Sequence, residues 1–360
     1  MRIAITGATG NLGTALLRRL DGSDHDLVGL ARRLPDPAGP HGRDPSLDRV
    51  SWVGVDLTDP AGEPVLRRAF ADADAVVHLA WGFQPSHDLR YLEALGVGGT
   101  QRVLDAAAAA GVPHVVHMSS IGAYAPKRDD APVDETWPTT GVRTSRYSVH
   151  KAAAERLLDD FEHASPGTTV SRMRPGIVGQ RSAGSALLRY GVPAAVPAKA
   201  LDLVPVLPLD RRMRIPMVHA DDVADAVVRV LDRRAGGAFN LAADPPITTD
   251  VVADALGAKA VHVPSSVVRA VMSAAWHARL QQVDTGWLDL AFSVPLLDTS
   301  RARDELGWTP AVPATTVLRE VLDGMRHTAS AGTPVLRPRT VLGGLRTLVT
   351  RGPVGQRARP

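Results

Sequence analysis

The sequence predicts an α/β protein built on a doubly wound parallel sheet, and three observations carry that reading. Short apolar runs of strand length alternate with stretches of helical periodicity through the first half of the chain. A glycine-rich turn follows the first run directly, where a doubly wound sheet places its ligand loop. The composition, 44% apolar and 22% charged over 360 residues, belongs to a chain able to bury a large core and excludes a disordered one.

In order along the chain, strands are expected at Arg2–Thr6, Asp26–Ala31, Val50–Val55, Ala75–Leu79, His114–Met118 and Thr169–Met173. Between them Leu12, Leu16, Leu17 and Leu20, and later Val103, Leu104, Ala107 and Ala108, recur as one face of a helix. After Arg174 the pattern breaks. Pro193, Pro197, Pro205, Pro208 and Pro216 argue against a continuous helix through 190–216, and such an apolar insertion after a sheet strand is a natural source of substrate contacts. The alternation resumes with a helix at Asp221–Arg234 and a strand at Ala238–Leu241. This divides the chain into a dinucleotide-binding domain of residues 1–174 and 215–245, a smaller C-terminal substrate-binding lobe of 175–214 and 246–330, and a basic tail, 331–360.

The formal charge of +3 and isoelectric point near 9.5 suggest an anionic partner only until the charge is located. Residues 331–360 hold six arginines (Arg337, Arg339, Arg346, Arg351, Arg357, Arg359) and no acid, so the rest of the chain carries −3. No nucleic-acid partner is expected. Within the tail Val341, Leu342, Leu345, Leu348 and Val349 recur at helical spacing; Gly343, Gly344 and the lack of an aromatic residue favour docking on the body or a second subunit over membrane association. With no cysteine, thiol chemistry and disulfides are excluded, and the scattered His and Asp lack metal-ligand spacing, so no metal is expected. Nowhere do eighteen apolar residues follow one another, and a soluble, cytoplasmic protein is expected.

The turn itself reads Thr6-Gly7-Ala8-Thr9-Gly10-Asn11-Leu12-Gly13. Gly7 permits the tight turn, Gly10 lets backbone approach a pyrophosphate, and Gly13 allows close helix–sheet contact; the helix start beyond it offers unpaired N–H groups to phosphates. A purely structural turn is the alternative, but the placement between a strand and an amphipathic helix points to a dinucleotide. After the second run, where an NAD site would carry an acid, stand Leu30-Ala31-Arg32-Arg33. A guanidinium pairs with a 2′-phosphate that a carboxylate would repel, so NADP is favoured, with NAD possible if the arginines are only solvated.

Seven motifs in order resemble the extended short-chain dehydrogenase/reductase family, also called the NAD-dependent epimerase/dehydratase family, from Met1 to about Trp308. They are the glycine loop, Val55-Asp56-Leu57-Thr58-Asp59, Val77-His78-Leu79-Ala80, Met118-Ser119-Ser120-Ile121-Gly122-Ala123-Tyr124, Tyr147-Ser148-Val149-His150-Lys151, Arg174-Pro175-Gly176-Ile177-Val178-Gly179, and Val218-His219-Ala220-Asp221-Asp222-Val223-Ala224. The resemblance implies a Rossmann-type fold, a homodimer, and cofactor contacts from Gly7, Thr9, Gly10, Asn11, Leu12, Gly13, Arg32, Arg33, Asp56, Leu57, Leu79, Ala80, Tyr147, Lys151, Pro175, Ile177 and Val178. It implies Ser120, Tyr147 and Lys151 as the catalytic residues, Ser120 matching the family's serine better than Ser119.

Those three make chemical sense. Tyr147 and Lys151 stand four apart in a segment of helical spacing that also carries Ala154 and Leu158, so they share a face. Hydride transfer to a carbonyl needs a proton donor, and the reverse needs a base; a nearby ammonium is expected to draw the phenol below its usual value near 10. Ser120 would hold the substrate oxygen for Tyr147. His117 and His150 are read as packed or solvated, and Asp221 or Asp222 as the cap of a helix. Gly96-Val97-Gly98-Gly99-Thr100 lacks the asparagine common in the family there, and Arg174-Pro175-Gly176-Ile177 lacks the one that nucleotide-sugar members use. With the apolar 192–209 segment, this favours an NAD(P)-dependent oxidoreductase acting on a relatively apolar carbonyl or alcohol. A sugar-nucleotide epimerase or dehydratase is the first alternative and a non-catalytic NADP-binding sensor the second.

Overall fold

The computed structural model describes residues 1–36, 44–82, 88–191, 197–278, 280 and 283–340. Seven strands form one sheet: β1 (Arg2–Thr6), β2 (Asp26–Ala31), β3 (Val50–Gly54), β4 (Ala75–His78), β5 (His114–Met118), β6 (Thr169–Pro175) and β7 (Gly237–Leu241). Their order is β7-β6-β5-β4-β1-β2-β3, and every neighbouring pair is parallel. The expected doubly wound architecture is present, with strand ends shifted by one or two residues. Strand order reverses between β1 and β4, which opens a crevice beyond their carboxyl ends.

Alternation along the strands sends successive side chains to opposite faces. Ile3, Ile5, Val77, Val116 and Met173 pack under Leu16, Leu17 and Leu20 of helix Asn11–Leu20 and Val223 and Val227 of helix Ala220–Arg233. Ala4, Val76, Val115 and Val170 lie on the other face, under Leu66 and Phe70 of helix Glu63–Phe70, Val103, Leu104 and Ala107 of helix Gly99–Ala109, and Leu158 of helix Arg146–Ala164. Each fully buried leucine or valine is worth about 1.5–3 kcal/mol relative to leaving it in water.

A three-stranded sheet, Ile177–Gly179 beside Arg214–His219 beside Ala243–Thr248, extends the fold away from the main sheet. The proline-rich stretch forms no long helix: its described residues make the end of helix Gly184–Gly191, a 3₁₀ turn at Ala198–Leu203 and a strand at Val206–Leu209 that pairs with Lys259–His262. Helix Ala220–Arg233 departs from expectation at its start. Its cap is His219, whose Nδ1 accepts from the Asp221 N–H at 3.1 Å, and neither aspartate fills that role. Asp222 instead accepts from the backbone N–H groups of Ala311 and Val312, while Trp308 donates to the Asp222 carbonyl at 2.8 Å, clamping the later chain to this helix. Residues 331–340 dock on the body; the apolar pattern at 341–349 lies outside the described residues. No described helix is long and apolar enough to cross a membrane.

Candidate active site

The glycine loop sits at the end of β1, inside the crevice. Gly7 has φ +73°, and a Cβ there would fall 2.6 Å from the backbone nitrogen of Ala80. Gly7 is therefore required both for the turn and for the close passage of the Leu79–Ala80 segment, which is itself tied to β1 by the Leu79 N–H on the Thr6 carbonyl at 3.0 Å. A Cβ on Gly13 would fall 2.5 Å from the Ala8 backbone. Gly10 caps helix Asn11–Leu20 with no side chain over its end, so the first-turn N–H groups face outward. This loop, in which a Cβ at Gly7 or Gly13 would collide with backbone, leaves the helix start open to fit the pyrophosphate of a dinucleotide. Asn11 donates to the Val178 carbonyl at 3.4 Å and accepts from Gln180 at 2.7 Å, bringing the two predicted cofactor segments together.

The other positions implied as cofactor contacts follow the carboxyl ends of the neighbouring strands. Arg32 and Arg33 are half-buried just past β2, and the Arg32 guanidinium donates to the Tyr91 hydroxyl at 2.9 Å. Asp56 and Leu57 follow β3 next to them: Val55 donates to the Ala31 carbonyl, Asp56 accepts from the N–H and hydroxyl of Thr58, and Leu57 is buried in the core. Pro175, at the end of β6, is buried, whereas Ile177 is 47% exposed.

At the opposite end of the crevice, helix Arg146–Ala164 presents Tyr147 and Lys151. The Gly122 N–H donates to Ser120 Oγ at 3.0 Å, and the Ser120 hydroxyl and the Tyr147 ring both lie against Gly122. A Cβ on Gly122 would lie 2.8 Å from the Tyr147 ring, so this glycine is the floor on which the tyrosine rests. Burial pushes the Tyr147 phenol up to about 12, opposed by the polar Ser120 hydroxyl beside it. The expected lowering by Lys151 is absent. Its amine is turned elsewhere, donating to the Met118 carbonyl at 2.7 Å and lying 3.5 Å from the centre of the Trp81 ring. Burial pushes Lys151 well below the ordinary lysine value, with Glu155 pulling the other way.

Beneath the site lies a buried polar network. Ser119 donates to Glu155 Oε1 at 2.5 Å, and Arg174 grips both Glu155 oxygens at 2.9 Å. Arg174 also donates to the Tyr124 hydroxyl, which donates to Asn240 at 2.7 Å. Burial works against the Glu155 carboxylate, yet Arg174 holds its value below the ordinary range. Helix Arg146–Ala164, the serine loop and β6 are thus joined by charge-assisted hydrogen bonds, and a neutral one carries the network on to β7. On the adjoining face Thr6 Oγ1 lies 2.7 Å from His78 Nδ1, Thr100 Oγ1 lies 3.0 Å from His78 Nε2, and Thr100 donates to the Gly96 carbonyl at 2.6 Å. His117, its ring tilted 47° to that of His78 at 5.2 Å, is 1% exposed, and neither ring nitrogen has a hydrogen-bond partner among the described residues. Desolvation lowers His78 to about 3 and His117 well below its usual value, with the Lys151 charge adding to both.

Above Tyr147 opens a cleft walled by Trp81, Leu89, Leu92 and Trp287, with Arg146, His150 and Asp284 at its rim. Trp81 meets the Tyr147 ring edge-on at 6.3 Å and Trp287 lies tilted across it at 5.2 Å. Trp81, Trp287 and Glu155 escape the sequence reading, while Gly122 and Arg174 stand in its motifs without a role. Trp81 carries a faint signal, following the Val77-His78-Leu79-Ala80 motif directly, and Glu155 another, one helical turn beyond Lys151; Trp287 has none.

A glycine cradle at the switch point, with a serine, tyrosine and lysine at the far end of the crevice, defines a dinucleotide-binding enzyme fold. The chain belongs to the NAD dependent epimerase/dehydratase family, whose model matches residues 3–242. It is similar to the UDP-glucose 4-epimerase of Mycolicibacterium smegmatis, 28% identical with 91% of this chain and 99% of that one covered. It is equally similar, at 28%, to the dTDP-6-deoxy-L-talose 4-dehydrogenase (NAD(P)(+)) of Kitasatospora kifunensis, with 89% and 94% covered. An uncharacterized Mycobacterium tuberculosis protein is 28% identical over 92% of this chain, which spans only 31% of that protein's length. The fold matches the NAD complex of Thermus thermophilus UDP-glucose 4-epimerase, with TM-score 0.65, 22% identity, and 91% and 99% of the two chains covered.

Proposed function

We propose that the chain is an NADP(H)-dependent oxidoreductase that reduces a ketone or aldehyde of a relatively apolar small molecule, or oxidises the matching alcohol. The observation that carries the reading is the placing of Ser120 and Tyr147 together over Gly122, with Tyr147 in a tryptophan-walled cleft. When bound, the nicotinamide supplies or takes up the hydride. Ser120 orients the substrate oxygen. Tyr147, whose buried phenol keeps its proton at neutral pH, gives that proton to the oxygen as negative charge develops there, so the resting state suits reduction. Lys151 braces the catalytic helix against β5 through the Met118 carbonyl, and the walls of Trp81 and Trp287 exclude water. Arg32 supports the preference for a 2′-phosphate, and the family resemblance supports a homodimer.

The test is Tyr147→Phe. Turnover should fall below detection while dinucleotide binding stays near the parent value; a variant that turns over normally sinks the assignment. Sugar-nucleotide epimerisation is the second reading, supported by similarity along the whole Mycolicibacterium smegmatis epimerase. It predicts turnover with no net change in nicotinamide absorbance, whereas the first reading predicts stoichiometric consumption.

A further inference from the structure

The last described stretch, residues 328–340, folds back across the molecule to the first loop of the chain. Thr333, 1% exposed, donates its hydroxyl hydrogen to the Thr9 carbonyl at 2.9 Å and accepts from the Leu336 N–H at 3.3 Å. The turn is closed by the Ala331 N–H on the Leu336 carbonyl. Its flanks are fastened to helix Gly184–Gly191. Arg189 donates to the carbonyls of Val335 and Arg337, and Ser185 Oγ donates to the Thr328 carbonyl at 2.6 Å and accepts from the Arg339 N–H at 3.2 Å.

Thr9 is 4% exposed, so its carbonyl depends on a protein partner, and Thr333 supplies one. The peptide joining Thr9 to Gly10 is held at both ends: its carbonyl by Thr333, and its N–H by the Gly7 carbonyl at 2.9 Å. That peptide carries the chain into the cap of helix Asn11–Leu20, so its orientation sets where the first-turn N–H groups point. Thr333 lies outside residues 3–242, which the family match covers.

We propose that residues 331–339 are a working part of the dinucleotide site, and that Thr333 is a positioning residue that fixes the Thr9–Gly10 peptide in the shape that receives the pyrophosphate. The proposal rests on the dinucleotide reading of the glycine loop. The full chain and its Thr333→Val and Thr333→Ser variants are titrated with NADPH and with NADH. Thr333→Val should raise Kd for both by about fivefold to tenfold, and Thr333→Ser should restore it. Val112→Ala, a core change just before β5, at the end of the strands away from the glycine loop, should lower Tm and leave Kd unmoved. If Thr333→Val does not fold, Arg189→Gln, which loosens the arm from its far side, should raise Kd in the same direction. A Thr333→Val affinity within about twofold of the parent overturns the proposal, as does a Val112→Ala loss of affinity matching that of Thr333→Val. A parent chain that binds neither dinucleotide overturns the dinucleotide reading instead.

Discussion

The two ends of the crevice are built by different means. At the glycine loop the work is done by backbone: N–H groups at a helix start, held in place by glycines that leave no room for a side chain. At the Tyr147 end it is done by side chains taken out of water, a lysine 2% exposed, two buried histidines, and a carboxylate gripped by an arginine. A backbone cradle has no titrating group and depends on shape. A cluster of desolvated polar groups depends on each partner being present, because a buried charge left alone costs far more than the pair contributes.

The largest break in this contrast should come from Glu155→Gln, which leaves Arg174 buried without its counter-charge. A loss of about 3–5 kcal/mol in urea denaturation is expected, with a smaller loss when Arg174→Met is added. Equal losses in the single and double variants would show that the pair does not act as a unit.

Acid should separate the two ends next. His78 titrates at about 3 in the folded chain, against about 6.5 when unfolded. Below 6.5 the unfolded chain therefore binds a proton that the folded chain refuses, so stability is full above 6.5 and is lost as pH falls toward 3. Near pH 5 this amounts to about 2 kcal/mol from His78 alone. Denaturation at pH 7 and pH 5 should show that loss, reduced in His78→Gln, while NAD affinity of the folded chain stays flat. A stability that does not fall would place His78 in contact with water.

The smallest effect sharpens the backbone end. Arg32→Ala should weaken NADPH binding by about tenfold and leave NADH binding unchanged. Loss of both equally would assign Arg32 to holding Tyr91 rather than to reading the 2′-phosphate.

The same division explains what could be read from the sequence. The seven strands, the glycine loop and the Tyr147–Lys151 helix are local patterns, fixed by periods of two and 3.6 residues and by glycines at set offsets, and the structure has them. The roof of the cleft joins Trp81 to Trp287, the brace under the site joins Glu155 to Arg174, and Thr333 reaches back to Thr9. These contacts link segments far apart in the chain, and no local spacing announces them. The cap expected at Asp221 or Asp222 falls instead to His219 for a related reason. An aspartate is the commoner cap, but here both aspartates lie past the first helical residue, one of them engaged by the chain near Val312.

The hydroxyl of Thr100 owns a single hydrogen, and the Gly96 carbonyl has it. Its oxygen must then receive from His78, which puts the ring proton on Nε2 and leaves Nδ1 with a lone pair for the Thr6 hydroxyl. Counting hydrogens thus assigns the tautomer of a ring that feels the charge of Lys151. The chain of bonds runs one way, from Thr6 through the imidazole to the backbone at Gly96, and cannot be reversed without turning two threonine hydroxyls and setting an N–H against Thr6. His78 is a spacer of fixed polarity.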